Sequence, residues 1–199
     1  MSLTPVAEGE LAAIVTSLEM RDRPKPKPLP AAPLRLVRWA SPTTAAYRTL
    51  FTRVGAPWLW FSRLMLAEEA LAAIIGDPAV EIYAVVDRAG IEVGMLELDF
   101  RVAGECEIGF FGLITELSGK GLGRWLMAET LARAWLPGIT RVWVHTCTLD
   151  HPSALNFYRA QGFVPFARAV EVFADPRLLG VLPRDAAPHA PLLDQPRAR

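Results

Sequence analysis

Gly119, Gly121 and Gly123 alternate with Lys120 and Leu122 between a strand-like run, Glu105 to Ile114, and a helical run, Arg124 to Trp135. Each glycine adds backbone freedom that folding must remove, so this spacing builds neither a helix interior nor a strong strand. It suits a turn that opens directly into a helix. There the first amides of the helix lack partners and the helix dipole is positive, which together favour an anion. The plain alternative is a tight turn that only joins two elements. The turn lacks the Lys-Ser/Thr pair of a nucleoside triphosphate loop and is too compact for a dinucleotide fingerprint. A phosphate held here belongs to another kind of cofactor.

The elements around this turn set the fold class. Glu10 to Met20 reads as a short helix, and Arg21 to Pro33, with five prolines and two lysines, as an extended arm. Leu34 to Trp39 alternates as a first strand. Ser41 and Pro42 match a cap and first position for a helix over Thr43 to Arg53, closed by Gly55 and Pro57. Trp58-Leu59-Trp60-Phe61 crowds aromatics between that helix and a second one, Leu66 to Ile75. Such rings pack a core or line an acceptor pocket.

Val80 to Val86 and Glu92 to Phe100 read as strands joined by a turn at Asp87 to Gly90. On the Glu105 strand, alternation places Glu105, Glu107, Gly109 and Phe111 on one face and Cys106, Ile108 and Phe110 on the other. A helix over Leu122 to Leu136, a strand over Arg141 to Thr146, a helix ending at Gln161 and a strand over Phe163 to Phe173 follow. Pro165 marks an edge or a bulge in the last strand. The order predicts an α/β (α+β) chain with a mixed, mostly antiparallel central sheet covered by helices. It lacks the repeated strand–helix units of a doubly wound fold. Residues 1–33 read as an N-terminal extension, 34–174 as the folded domain and 175–199 as an irregular tail.

At 199 residues and 52% hydrophobic content the chain buries one sizeable core. Its 21 basic and 21 acidic side chains cancel, so no global field draws it to nucleic acid or acidic membrane. Cys106 and Cys147 lie in apolar strand surroundings and read as reduced thiols of a cytoplasmic protein. No apolar run spans a bilayer, and no metal-ligand spacing is present.

With that order in place, three stretches resemble the GNAT superfamily of acyl-CoA-dependent N-acetyltransferases: Glu107 to Leu113, Gly119 to Gly123, and Ser153 to Phe163 with its Phe-Tyr-x-x-x-Gly-Phe ending. The resemblance covers roughly Leu34 to Phe173. It implies acetyl-CoA or coenzyme A as cofactor, with the pyrophosphate on the turn Ser118, Gly119, Lys120, Gly121, Leu122, Gly123 and Arg124. It also implies a sheet splayed beyond Leu113, whose backbone meets the pantetheine arm, and Tyr158 as the acid that protonates the departing thiolate. Ser118 stands where the family usually has Arg or Gln, and His151 where it usually has Asn.

Acetyl transfer needs a neutral amine, hence a base. Glu107 on the cofactor strand is the first candidate and Glu97, two positions before Asp99, the second. Either carboxylate also suits the holding of a cationic acceptor. His145 lies in an apolar strand and titrates near neutrality, and a structural role suits it equally. Asp150 reads as a cap of the following helix. The function implied is an N-acetyltransferase acting on a small-molecule or peptide amine, without nucleic acid or membrane partner. Two rival readings stand beside it: a non-catalytic CoA-binding or sensing domain, and a partner-binding protein using the arm and the Trp58 cluster. Homodimerisation is one way to cover the sheet edges.

Overall fold

The computed structural model describes residues 3–25, 28 and 30–193. Its strands are β1 (Glu10–Met20), β2 (Arg35–Trp39), β3 (Val80–Val86), β4 (Glu92–Asp99), β5 (Glu105–Leu113), β6 (Arg141–Cys147) and β7 (Val164–Ala174). Its helices are α1 (Thr44–Gly55), α2 (Glu68–Ile75), α3 (Leu122–Ala134) and α4 (Ala154–Ala160). The strands make one sheet in the order β2-β3-β4-β5-β6-β1-β7. All neighbours are antiparallel except β5 and β6. The mixed, mostly antiparallel sheet read from the sequence is the fold.

Residues 10–20 correct the helix expected there. Ile14, Val15 and Thr16 are β-branched and stiff, and Thr16, Leu18 and Met20 alternate into the core while Ser17 and Glu19 face the other way. Pairing with β6 and β7 on its two sides satisfies the backbone that a helix would have satisfied internally. The N-terminal segment is thus an inner strand of the sheet. Of the arm expected at Arg21 to Pro33, positions 26, 27 and 29 lie outside the described residues, and the rest up to Leu34 carries no helix or strand.

Each sheet face buries its own cluster. On one, Leu96, Leu98, Ile108, Val142 and Val144 pack under Met127 of α3 and Tyr158 of α4. On the other, Ile82, Ala84 and Met95 pack under Tyr47 and Phe51 of α1 and Leu71 and Ile75 of α2. Burying each large apolar side chain contributes about 1.5–3 kcal/mol. The α1 cap is Thr43, whose hydroxyl accepts from the Ala46 amide at 3.1 Å, and not Ser41, whose hydroxyl turns to the Ala40 carbonyl.

Two irregularities shape the centre. Glu97 pairs with Phe110 and Leu98 with Ile108, so Gly109 is an extra residue in β5. Beyond this bulge the alternation inverts: Phe110 joins the α1 face and Phe111 the α3 face, the reverse of the simple parity expected. The second is the parallel β5–β6 ladder, which runs from Glu105↔Arg141 to Ile108↔Val144 and stops. Past that point the two strands part.

From Pro176 to position 193 the chain carries no helix or strand, yet it is packed. Asp175 and Arg177 form a buried ion pair, and Arg177 Nη1 also donates to the Ala186 and Ala190 carbonyls. Leu182, Ala187 and Ala190 close over Leu59. The tail therefore braces the aromatic loop at residues 58–61. Positions 194–199 of the expected tail lie outside the described residues. Strand β7 forms a sheet edge on which Val164, Phe166, Val170 and Val172 are exposed, with Pro165 beside a register shift. Among the described residues no helix is long and apolar enough to cross a membrane.

Candidate active site

Where β5 and β6 part, a cleft of about 430 Å³ opens, a size typical of small-molecule sites. One end is the glycine turn. Gly119 and Gly121 adopt φ of +74° and +76°, a left-handed conformation that L side chains rarely hold. Gly121 is the N-cap of α3 and no side chain bonds the first turn. Among the described residues, none of the amides from Gly119 to Gly123 is spent on a backbone turn bond. Leu113, Ser118, Gly119, Gly121, Leu122, Gly123 and Arg124 all line the cleft. Lys120 is exposed and does not.

Tyr158 reaches the middle of the cleft from α4, almost wholly buried, and its hydroxyl has no hydrogen-bond partner among the described residues. Burial, with the Asp150 carboxylate adding to it, raises its pKa far above the phenol range. The hydroxyl therefore carries its proton throughout the neutral range. Asp150 is not a helix cap. Its carboxylate accepts from Thr146 Oγ1 at 2.7 Å, from the Cys147 amide at 2.9 Å and from Trp60 Nε1 at 3.3 Å. It ties the aromatic loop to the end of β6, and the helix start is served by His151 Nδ1, which accepts from the Ser153 amide at 3.1 Å.

The two candidate bases are placed apart from the cleft. Glu97 is fully buried behind it, one oxygen accepting from Tyr47 Oη at 2.6 Å and the other from Arg63 Nη2 at 2.5 Å. A Cβ on Gly109 would lie 3.3 Å from Glu97 Oε1, so the bulge glycine makes room for this pair. Glu107 faces a small hollow shared with Asp99, Arg101 and Trp143. Its Oε1 lies 3.6 Å from His145 Nδ1, an ion-pair distance rather than a direct hydrogen bond. His145 itself lines the cleft, half exposed. Glu107 holds its pKa above the ordinary imidazole value against the opposing effect of burial, with Asp150 and Glu171 contributing at longer range.

Glu97 thus has a structural task. Replacing Arg63 by Met is expected to lower stability by about 3 kcal/mol, because it strands a buried carboxylate. Urea unfolding reads this directly, and a loss within error would mean that the pair carries no stability.

Away from the glycine turn the cleft is lined by residues the sequence did not bring together: Val15 of β1, Cys147 of β6, and Glu171 and Phe173 of β7, with Trp58, Trp60 and Phe61. Phe61 stacks on Phe173 with centroids 4.7 Å apart. The strand identity of residues 10–20 is the signal that brings β1 and β7 to this site. Burial pushes the Cys147 thiol up to about 11, so it holds its proton at neutral pH.

Fold and cleft together define an acyl-group transferase architecture. Residues 38–163 match the sequence profile of the Acetyltransferase (GNAT) family, and the chain belongs to that family. A comparison with curated protein sequences returns no match. Among solved structures, a GCN5-related N-acetyltransferase from Sphaerobacter thermophilus aligns with TM-score 0.55 at 16% identity, over 84% of this chain and 52% of that one. A conserved protein of unknown function from Staphylococcus epidermidis aligns with TM-score 0.54 at 13% identity, over 84% and 63% respectively. An aminoglycoside acetyltransferase from an uncultured soil metagenomic sample, in complex with trehalose, aligns with TM-score 0.52 at 20% identity over 65% and 88%. The chain thus spans less than two thirds of the length of the first two. Strands β1 and β7, which line the cleft away from the glycine turn, lie outside the family match.

Proposed function

We propose that the protein transfers an acetyl group from acetyl-CoA to a primary amine, by direct attack on the thioester, in the cytoplasm. The observation that carries this is a single cleft lined at once by the unspent amides before α3 and by the proton-bearing hydroxyl of Tyr158. The turn fits a pyrophosphate: its amides are free, and Gly119 presents open space where a side chain would stand. When bound, the thioester supplies an activated acetyl group; everything else falls to the chain.

Beyond Ile108 the cleft side of β5 has no strand partner, so backbone amides between Gly109 and Leu113 are available to a carbonyl oxygen that gains charge. His145 takes the proton from the incoming ammonium, and Glu107 behind it makes that imidazole more basic. This moves Glu107 from base to positioning residue and leaves Glu97 out of the chemistry. Tyr158 donates its proton to the leaving sulfur and regains one from the acylated nitrogen, which must shed its second proton. The thiol and the amide thus leave neutral, and His145 passes the first proton to water. The high thiol pKa of Cys147 supports direct transfer over an acetyl-cysteine route.

The base works only when neutral, so the rate rises with pH through the His145 pKa. Glu107, Asp150 and Glu171 are the carboxylates that face this imidazole, and each raises that pKa. Removing the nearest carboxylate lowers it. Glu107→Gln is therefore expected to move the ascending limb of the rate–pH profile to lower pH, and His145→Asn to abolish the limb. An unchanged profile in His145→Asn would assign proton loss to bulk water instead.

A further inference from the structure

One carboxylate at the acceptor end of the cleft acts on the chain only through space, by its long-range pull on His145. Glu171, on β7, lines the cleft, is exposed, and makes no hydrogen bond or ion pair among the described residues. The carboxylates around it are committed: Asp150 to Trp60, Thr146 and the Cys147 amide, and Glu107 to His145. Glu97 is sealed beneath Tyr47 and Arg63.

The surroundings of Glu171 are aromatic. Phe173, two residues further along β7, shares its face and stacks on Phe61, while Trp58 and Trp60 extend the same wall. Asp150 holds Trp60 in place through its indole N–H, and the tail residue His189 packs against Trp58 at 5.7 Å. The wall is therefore braced from both sides. Among the described residues that line the cleft, Arg124 is the one Lys or Arg, and it belongs to the glycine-turn end. The acceptor end thus combines a carboxylate unpaired among the described residues, no Lys or Arg, the two imidazoles of His145 and His151, and a fixed surface of ring faces.

We propose that the acceptor is a primary amine that is cationic in solution and carried on an apolar, ring-sized body. Glu171 holds the ammonium as it enters, and the Trp58, Trp60, Phe61 and Phe173 wall takes the carbon body. This rests on the acetyltransferase reading above. A carboxylate on an apolar wall repels acids and gives a neutral molecule no charge-assisted bond. Ring faces attract a cation and reward apolar contact, which a polyamine of the same charge without an apolar body satisfies only in part. The outer strand β7 sets this specificity, separately from the glycine turn and Tyr158.

The test has two stages on the full chain. Calorimetry first reads coenzyme A binding. Protein saturated with coenzyme A is then titrated with 2-phenylethylamine, with its neutral isostere 2-phenylethanol, and with spermidine, following tryptophan fluorescence. The expected result is that 2-phenylethylamine binds about tenfold tighter than the alcohol, and that Glu171→Gln removes this preference. The variant's affinity for coenzyme A serves as its folding control. An equal or absent affinity for amine and alcohol, a preference that survives in Glu171→Gln, or tighter binding of spermidine overturns the proposal and leaves the acetyltransferase reading standing. Failure of the parent protein to bind coenzyme A overturns both.

Discussion

Tyr158→Phe is expected to lower turnover by about 100-fold while leaving acetyl-CoA affinity nearly intact. The substitution removes one oxygen and keeps the ring that packs among Phe111, Phe157 and Phe163. Folding and cofactor binding should therefore survive, because the hydroxyl bonds nothing among the described residues. What is lost is a proton held where the sulfur departs. Burial keeps that proton on the oxygen through neutral pH, so the loss should not vary with pH across the working range. Thiol release measured at saturating acetyl-CoA, together with calorimetry of the same variant, separates the two effects. Turnover within threefold of the parent would reduce Tyr158 to a packing residue.

The other large effect is expected at the turn. Gly121→Val should abolish measurable acetyl-CoA binding. Gly121 caps α3 at φ +76°, a conformation costing a β-branched residue about 1–2 kcal/mol. A side chain there also approaches Arg124 Nη2, at 3.5 Å from its first carbon. Either the turn unwinds or the cradle fills, and both remove the close backbone approach on which an anion depends. Circular dichroism establishes that the variant is folded, and calorimetry then reads binding. Unchanged affinity in a folded variant would separate the turn from the cofactor altogether. Gly119→Ala provides a milder comparison, since only the backbone angle and not the space is at issue there.

The stretch from β2 to α4 was legible because its signals are local. Glycines and prolines punctuate it, and each apolar run has one clear period. Glu10 to Met20 has two: Leu11, Ile14, Val15 and Leu18 fit a helix face, and Thr16, Leu18 and Met20 fit a strand. Partners from the far end of the chain decide between them, and no local pattern reports those partners. The bulge at Gly109 was hidden for a similar reason. One extra residue inverts every later side chain, and nothing in Glu107 to Leu113 marks which glycine is unpaired. The roles of the carboxylates follow from it. Glu97 is held by Tyr47 and Arg63, and Glu107 stands behind His145, through contacts that bridge separate elements. Spacing identified the acids but not their occupants. The glycine turn and Tyr158 were legible because their chemistry is carried by short motifs in fixed order.

The position of β1 also sets the order in which the protein can be completed. Residues 10–20 leave the ribosome well before both of their strand partners, β6 and β7. Until β6 emerges, β1 has no ladder to join, and its apolar residues wait in an unfinished chain that exposes them to aggregation. Strand β7 depends in turn on β1, because among the described residues no other strand pairs with it. Closing so long a loop is slow compared with forming the hairpins between β3, β4 and β5. The half of the molecule with the glycine turn can therefore assemble during synthesis, and the wall that holds Glu171 and Phe173 only after β7 is released. A nascent chain arrested before β7 should hold the cofactor end and lack the surface that chooses the amine.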